Sequence, residues 1–346
     1  MGSALYITAD AIGTATGGGS VTYHESRFLS RFFGSEIEIW QFPEAARPWG
    51  ADDVAAQRLA ERPEYKPDLA HFYAGSFTRT VQILKRRGTK IVYTAAAHDI
   101  GVSREEHEKL GLPFDYPHLT DPDQWDAYVR GYLLADVVIC PSLYSQATMI
   151  GYGCEEVTVI PHGIAELPPL KLAPSRFSVA YLGQPGPDKG LIYLLQAWKQ
   201  LNYHDATLTI AGYGTEHLLG LVRSAGGGNI YLRGRVDDIA DVYNNCRLYV
   251  QPSASEGFGI EVLEAMAHGR PVVCSKGAGA VDVVRDSDAV HAQCAVVPAR
   301  DAGALANAIA TYTAREVDAK VLRAHAGQFL WEYIEPQYRR VYSDVL

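Results

Sequence analysis

The chain has 346 residues, 47% of them hydrophobic and 21% charged, with a formal net charge of −9. That length exceeds what one core usually organises and favours two domains, while the composition excludes a disordered or fibrous chain. The acidic balance and the lack of a long basic run remove the clustered Lys and Arg on which nucleic-acid binding depends, so nucleic acid is not an expected partner.

Strand-like runs begin at Ala4–Thr8 and recur at Glu36–Trp40, Asp68–Tyr73, Lys90–Ala95, Val137–Cys140 and Val157–Ile160. Each neighbours a segment with helical spacing, and this alternation predicts a parallel sheet with helices on both faces. The text AELPPLKLAPSR then carries three prolines, which fix the backbone and remove donors. A linker and hinge is therefore expected at 166–176, between a first domain at 1–165 and a second at 177–327. The strand pattern restarts at Phe177–Leu182, Thr207–Ala211, Ile230–Leu232, Leu248–Val250, Pro271–Cys274 and Ala295–Val297, again with helical segments between. Over 328–346, Phe329, Trp331, Tyr333, Ile334, Tyr338, Val341 and Tyr342 are spaced for a helix with a broad apolar face, expected to lie back on the first domain.

The five cysteines form no Cys-x-x-Cys pair, and Cys140 and Cys274 fall in apolar runs where a thiol serves as a small hydrophobe. Met1 to Asp10 lacks a basic flank and a cleavage site, and no run of about 18 apolar residues occurs. A cytoplasmic location is expected, and composition leaves open peripheral contact with the inner membrane face. Oligomeric state is not legible.

Open α/β sheets bind ligands outside the carboxyl ends of their strands, so two such domains facing each other would line a cleft with strand-to-helix loops. The densest such loop is Ser253-Ala254-Ser255-Glu256-Gly257-Phe258-Gly259-Ile260, after a strand ending near Gln251-Pro252. A helix from about Ile260 stops at Gly269, ahead of Pro271. Its N-terminus suits a phosphate, and Gly257 and Gly259 permit close backbone approach. Glu256 and Glu264 are placed to accept hydrogen bonds from hydroxyls on either side of a diphosphate.

The run EGFGIEVLEAMAHGRPVV resembles the Glu-x7-Glu signature of family 4 of the retaining glycosyltransferases, which have the GT-B fold. The resemblance implies an α/β protein of two facing Rossmann-like parallel-sheet domains with a cleft between them. It implies that Glu256 contacts donor-sugar hydroxyls, that Glu264 holds the nucleotide ribose, and that the Phe258, Gly259 and Ile260 backbone binds sugar and phosphate. Tyr181-Leu182-Gly183-Gln184-Pro185-Gly186-Pro187-Asp188-Lys189-Gly190 resembles the family's phosphate loop, with Lys189 at the position of the lysine that neutralises the departing pyrophosphate. Gln184 stands where the family usually has arginine; an amide donates hydrogen bonds but no charge.

In the first domain, Gly17-Gly18-Gly19-Ser20 looks like a glycine loop ahead of a helix, without the Gly-x-Gly-x-x-Gly of dinucleotide binders. The resemblance puts Gly18 and Gly19 beside donor phosphate and acceptor. It also makes His98, at a strand end with Asp99 to orient it, the active-site histidine; His71 is read as a packing residue. Val157 to Ile164 looks like the end of the family's first domain, with His162 for the usual asparagine. Gly212, in Ala211-Gly212-Tyr213-Gly214, and Arg235, in Arg233-Gly234-Arg235-Val236, resemble the loops near the nucleotide base.

Together these features predict a hexosyltransferase that takes a nucleoside diphosphate sugar as donor and a carbohydrate, lipid-linked or small-molecule hydroxyl as acceptor, with retention. No ligand set for a divalent cation stands out, so no metal and no cofactor are expected. The polar stretch from Asp99 to Asp123 is expected to serve the acceptor. An epimerase or phosphorylase of the same fold stays open, as does a weakened nucleotide-sugar-binding paralogue on account of Gln184.

Overall fold

The computed structural model describes residues 2–9, 12, 17–42, 48–73, 75–95, 99–112, 129–215, 219–226 and 228–346. In chain order the elements are β1 (Ala4–Thr8), α1 (Gly17–Phe33), β2 (Ile37–Gln41), α2 (Pro48–Ala60), β3 (Leu69–Tyr73), α3 (Thr78–Arg86), β4 (Lys90–Thr94), α4 (Ile100–Lys109), β5 (Val137–Cys140), α5 (Leu143–Gly151) and β6 (Val157–Val159). There follow β7 (Ser178–Leu182), a 3-10 turn (Pro187–Lys189), α6 (Leu191–Leu201), β8 (Thr207–Ala211), α7 (Leu219–Ser224), β9 (Ile230–Gly234), α8 (Ile239–Asn244), β10 (Leu248–Gln251) and α9 (Ile260–Ala267). The chain ends with β11 (Val272–Ser275), α10 (Val281–Arg285), α11 (Asp288–His291), β12 (Ala295–Val297), α12 (Ala302–Thr311), α13 (Ala319–Ala326), a second 3-10 turn (Gly327–Phe329) and α14 (Trp331–Val345).

Two compact units result: Met1–Ala97 with Asp115–Gly163 and Trp331–Leu346, and His98–Phe114 with Ile164–Leu330. The first holds a six-stranded sheet in the order β2-β1-β3-β4-β5-β6 and the second one in the order β12-β11-β10-β7-β8-β9. Every strand pair is parallel. Strands β1, β3, β5, β7, β10 and β11 are buried along their whole length, as uninterrupted apolar runs require when helices cover both faces. Along β7 the side chains alternate between two cores. Val179 and Tyr181 join the cluster that holds Leu194 and Trp198 of α6, and Ala180 and Leu182 join the one that holds Val262 and Met266 of α9.

In the first unit, α14 turns Trp331, Ile334, Tyr338, Val341 and Tyr342 inward. Tyr333 falls on the opposite side and is 57% exposed, a correction to the apolar face read from the sequence. Beneath α14 lies a wholly buried polar cluster. Glu25 accepts from Tyr6 (2.8 Å), Thr94 (2.7 Å) and Tyr338 (2.9 Å). His71 bridges Tyr342 and Thr94 through its two ring nitrogens, both at 2.9 Å. Gly17, Gly18 and Gly19 are the first turn of α1 rather than a loop before it. First-turn residues have no intrahelical partner for their amides, so glycine is tolerated there.

The units differ from the linear division in two places. The proline-rich stretch lies along the second unit instead of hanging between domains: Arg323 Nε donates to the Pro168 carbonyl (2.9 Å) and Arg270 Nη2 to that of Lys171 (2.9 Å). Helix α4, which linear order assigns to the first domain, groups with the second unit, because its side chains bond to Tyr193 and Arg300. All five cysteines are buried thiols, and no helix among the described residues is long and apolar enough to cross a membrane.

Candidate functional site

Strand β7 lies between β8 and β10, so the winding of the second sheet reverses at that point. A reversal of this kind opens a crevice at the carboxyl ends of the two strands, where open α/β sheets bind ligands. The loops that emerge there are Gly183–Gly190 after β7 and Pro252–Gly259 after β10. They interlock through one carbonyl: Asp188 accepts from the amides of Ala254 (2.7 Å) and Ser255 (3.1 Å). Gly190 permits this closeness, since its φ is +68° and a Cβ there would stand 2.0 Å from the Pro252 carbonyl oxygen. At the end of β8, a Cβ on Gly212 would stand 2.1 Å from the Gly183 carbonyl oxygen. The Gly212 amide donates to Gly234 (2.7 Å), bringing the third and fourth loops to the same edge.

The loop after β10 is held on its other side as well. Glu256 donates its amide to Gly277 (2.8 Å) and accepts from that of Gly279 (3.0 Å), while the Phe258 carbonyl accepts from Ala280 (2.7 Å). Phe258 is buried in the core, and Gly259, at φ +90°, caps the start of α9. Ile260, Glu261 and Glu264 are half-buried, as is Glu256.

On this frame Lys189 and Glu256 form an ion pair, their side chains 30% and 17% exposed. Burial works against the Lys189 ammonium, yet Glu256, Glu261 and Asp188 outweigh it and hold its pKa above the usual lysine range. Glu261 is pushed up to about 8, chiefly by burial and then by Glu256 and Glu264, with Lys189 pulling the other way. Burial also raises Glu264, against the hydrogen bond it accepts from Tyr243 OH (2.7 Å). One strong cation thus stands in a cluster of carboxyl groups, and burial beside Glu256 and Glu264 biases Glu261 towards its protonated form, in which a carboxyl can donate a hydrogen bond.

The structure brings Lys189, Glu256, Phe258, Gly259, Ile260 and Glu264 onto adjoining elements of one unit, with Gly212 alongside. Gln184 is exposed, and its carbonyl accepts from the Gly186 amide (3.0 Å). Arg235 is exposed just after β9. Gly18 and Gly19 belong to the other unit, in α1. His98 lies outside the described residues, as does the latter part of the expected acceptor stretch, 113–123. Asp99 caps α4, its carboxylate accepting from the Val102 amide (3.2 Å). Sequence reasoning missed Glu261, Tyr243 and the Asp188 carbonyl. Glu261 had a usable signal, standing three residues before Glu264 and so on the same helix face; Tyr243 had none.

Residues 176–314 match the family described as glycosyl transferases group 1, and residues 18–166 match Glycosyltransferase Family 4. A phosphatidyl-myo-inositol mannosyltransferase of Mycobacterium leprae is 34% identical over 181 residues, 49% of this chain and 46% of that protein. The O-antigen chain mannosyltransferase B of Escherichia coli is 36% identical over 172 residues, 47% of this chain and 45% of that one. The matched stretch spans about half the length of these relatives. Among solved structures, a sucrose-phosphate synthase from Thermosynechococcus elongatus superposes with a TM-score of 0.77 at 19% identity, over 99% of this chain and 98% of that one. Anabaena HepE in complex with UDP-glucose gives 0.72 at 20% identity, over 99% of each chain. These likenesses show the fold, which is GT-B.

Proposed function

Since the chain belongs to the group 1 glycosyltransferases of family 4, we propose that it moves a hexose from a nucleoside diphosphate sugar to an acceptor hydroxyl, with retention and without a bound metal. The observation that carries this reading is the Lys189–Glu256 pair at the switch point between β7 and β10, beside the N-terminus of α9. A fixed ammonium and the positive end of a helix stabilise the charge that grows on a departing diphosphate. Glu256, released from Lys189 as phosphate oxygens take its place, accepts hydrogen bonds from donor-sugar hydroxyls. Glu264, steadied by Tyr243, accepts from the ribose. The backbone of Phe258, Gly259 and Ile260 lies along sugar and phosphate, with Gly212 and Arg235 near the base and Gln184 adding a neutral donor. His98, Gly18 and Gly19 complete the set of residues proposed for sugar and phosphate.

In the transfer, the acceptor oxygen bonds to the anomeric carbon on the face from which the phosphate oxygen leaves. That leaving oxygen takes the acceptor proton, so no separate nucleophile is needed, and the carboxylates do not play glycosidase roles. Mannose is the first sugar to try, since both relatives are named mannosyltransferases, and lipid-linked or polysaccharide acceptors are the first acceptors to try on the same ground. The test is a screen of UDP-, GDP- and ADP-sugars for thermal protection, followed by transfer with a chelator present. A ligand that binds only the native state raises its melting temperature. Protection by no donor at saturation, or a product of inverted configuration, would refute the assignment.

A further inference from the structure

Helix α4 is held to the second unit through one enclosed carboxylate. Glu106, with 1% of its side chain exposed, forms an ion pair with Arg300 Nε (2.9 Å) and accepts from Lys109 Nζ (2.9 Å) and Tyr193 OH (2.7 Å). Arg300 Nη1 also reaches Glu105 (2.9 Å). The two outside partners come from separate places: Arg300 follows β12, and Tyr193 stands in the first turn of α6, directly after the Lys189 loop. Arg300 also adopts a φ of +64°, one of two non-glycine residues at positive φ among the described residues. A side chain bearing such strain is kept there by its surroundings, and this tends to occur at functional elements.

The opposite end of α4 meets the site itself. The Asp99 amide donates to Ser255 Oγ (2.8 Å), and the Ser255 amide donates to the Asp188 carbonyl (3.1 Å). Ser255 and Asp188 directly precede Glu256 and Lys189 in the chain. A continuous path of bonds therefore runs from Arg300 through Glu106 and α4 to the backbone that carries the ion pair.

We propose that Arg300, with Glu106 and Tyr193, is a positioning group for the transfer step: it seats α4 so that Asp99 holds Ser255, in the loop that carries Glu256 of the Lys189–Glu256 pair. The proposal rests on the donor reading of that pair. The proposed nucleotide contacts come from the loops after β7, β8, β9 and β10, from α9 and from Gly18 and Gly19 of α1, none of which belongs to α4. Loosening α4 should therefore disturb the geometry of reaction more than the binding of nucleotide. Without its guanidinium, the buried Glu106 is left undercompensated and α4 loses its seat.

The experiment compares the intact chain with Arg300→Ala, Arg300→Lys and Tyr193→Phe by thermal unfolding, calorimetric binding of UDP and GDP, steady-state transfer and hydrogen exchange across 99–109. In Arg300→Ala, kcat should fall by about tenfold to a hundredfold while nucleotide Kd stays within about twofold, the pattern of lost positioning. Exchange in α4 should quicken. Arg300→Lys should recover part of kcat, because an ammonium can still reach Glu106, and Tyr193→Phe, which removes a single bond, should show a smaller loss if Arg300→Ala does not fold. Unchanged kcat or unchanged α4 exchange in a folded Arg300→Ala protein would overturn the proposal, as would nucleotide affinity falling in step with kcat. If the intact chain neither binds nucleotide nor transfers sugar, the donor reading fails separately, and normal α4 exchange in the variants would count against the seat itself.

Discussion

Glu25 in the first unit and Glu261 in the second are both carboxyl groups raised by burial, to about 7 and about 8, yet their surroundings differ in kind. Glu25 is wholly enclosed, accepts from three hydroxyls, and ties β1, β4 and α14 to α1. Among the described residues its only basic neighbour in the ion-pair range is His71, 3.7 Å away and held neutral by burial, and no face of Glu25 is exposed. Glu261 is half-buried beside Glu256, Glu264 and the Lys189 ammonium, at strand ends where the sheet reverses. A displaced pKa is therefore a weak pointer to a site when taken alone. An accessible face, a fixed counter-charge and a topological crevice together separate the second carboxyl from the first.

The largest expected effect tests the functional side of this contrast. Lys189→Ala should lower kcat by on the order of a hundredfold to a thousandfold, as loss of one transition-state donor does, with little change in the urea midpoint. Normal turnover in that variant would erase the distinction. Glu25→Ala should do the reverse: with three hydroxyls unpaired, stability should drop by about 1–3 kcal/mol in urea unfolding, while nucleotide binding per folded molecule is retained.

The pH dependence sharpens the structural side. Glu25, raised from 4.5 to about 7, contributes stability that is complete below about 4.5 and is lost as pH rises towards 7. His71 is lowered by burial from 6.5 to about 3, so its contribution is complete above about 6.5 and is lost as pH falls towards 3. Between 4.5 and 6.5 the two slopes oppose. Glu25→Gln should leave the histidine slope unopposed, giving unfolding free energies that rise with pH in that window by up to about 1.4 kcal/mol per unit. A slope equal to that of the unaltered chain would contradict the pairing of these two groups. The smallest effect belongs to Tyr338→Phe, which removes one of the three bonds to Glu25 and should cost about 1 kcal/mol in the same urea assay.

Much of the architecture was legible because it is written in short-range spacing. Strands at Ala4–Thr8, Val137–Cys140, Thr207–Ala211 and Ala295–Val297 have the limits expected from their apolar runs, and others differ by a residue or two at their ends, where pairing with neighbours sets the stop. The loop and helix from Ser253 to Gly269 were readable for the same reason, since glycines, the paired glutamates and the terminating Gly-Arg-Pro lie within a few turns of one another. The proline-rich stretch shows the limit of this reading. Its prolines do interrupt regular structure, but Arg270 and Arg323, about a hundred residues or more further on, bind its carbonyls to the second unit.

The sequence alone determined the two parallel sheets, the phosphate-suited loops and the family phrase around Glu256, because periodicity, glycine placement and helix ends are decided by neighbours in the chain. Only the tertiary structure decided that α4 is seated on the second unit, that burial beside Glu256 and Glu264 raises Glu261 near Lys189, and that Glu25 is a closed structural carboxyl. A group's charge state and partners depend on which distant residues enclose it, and Tyr338 reaches Glu25 across 313 positions of chain.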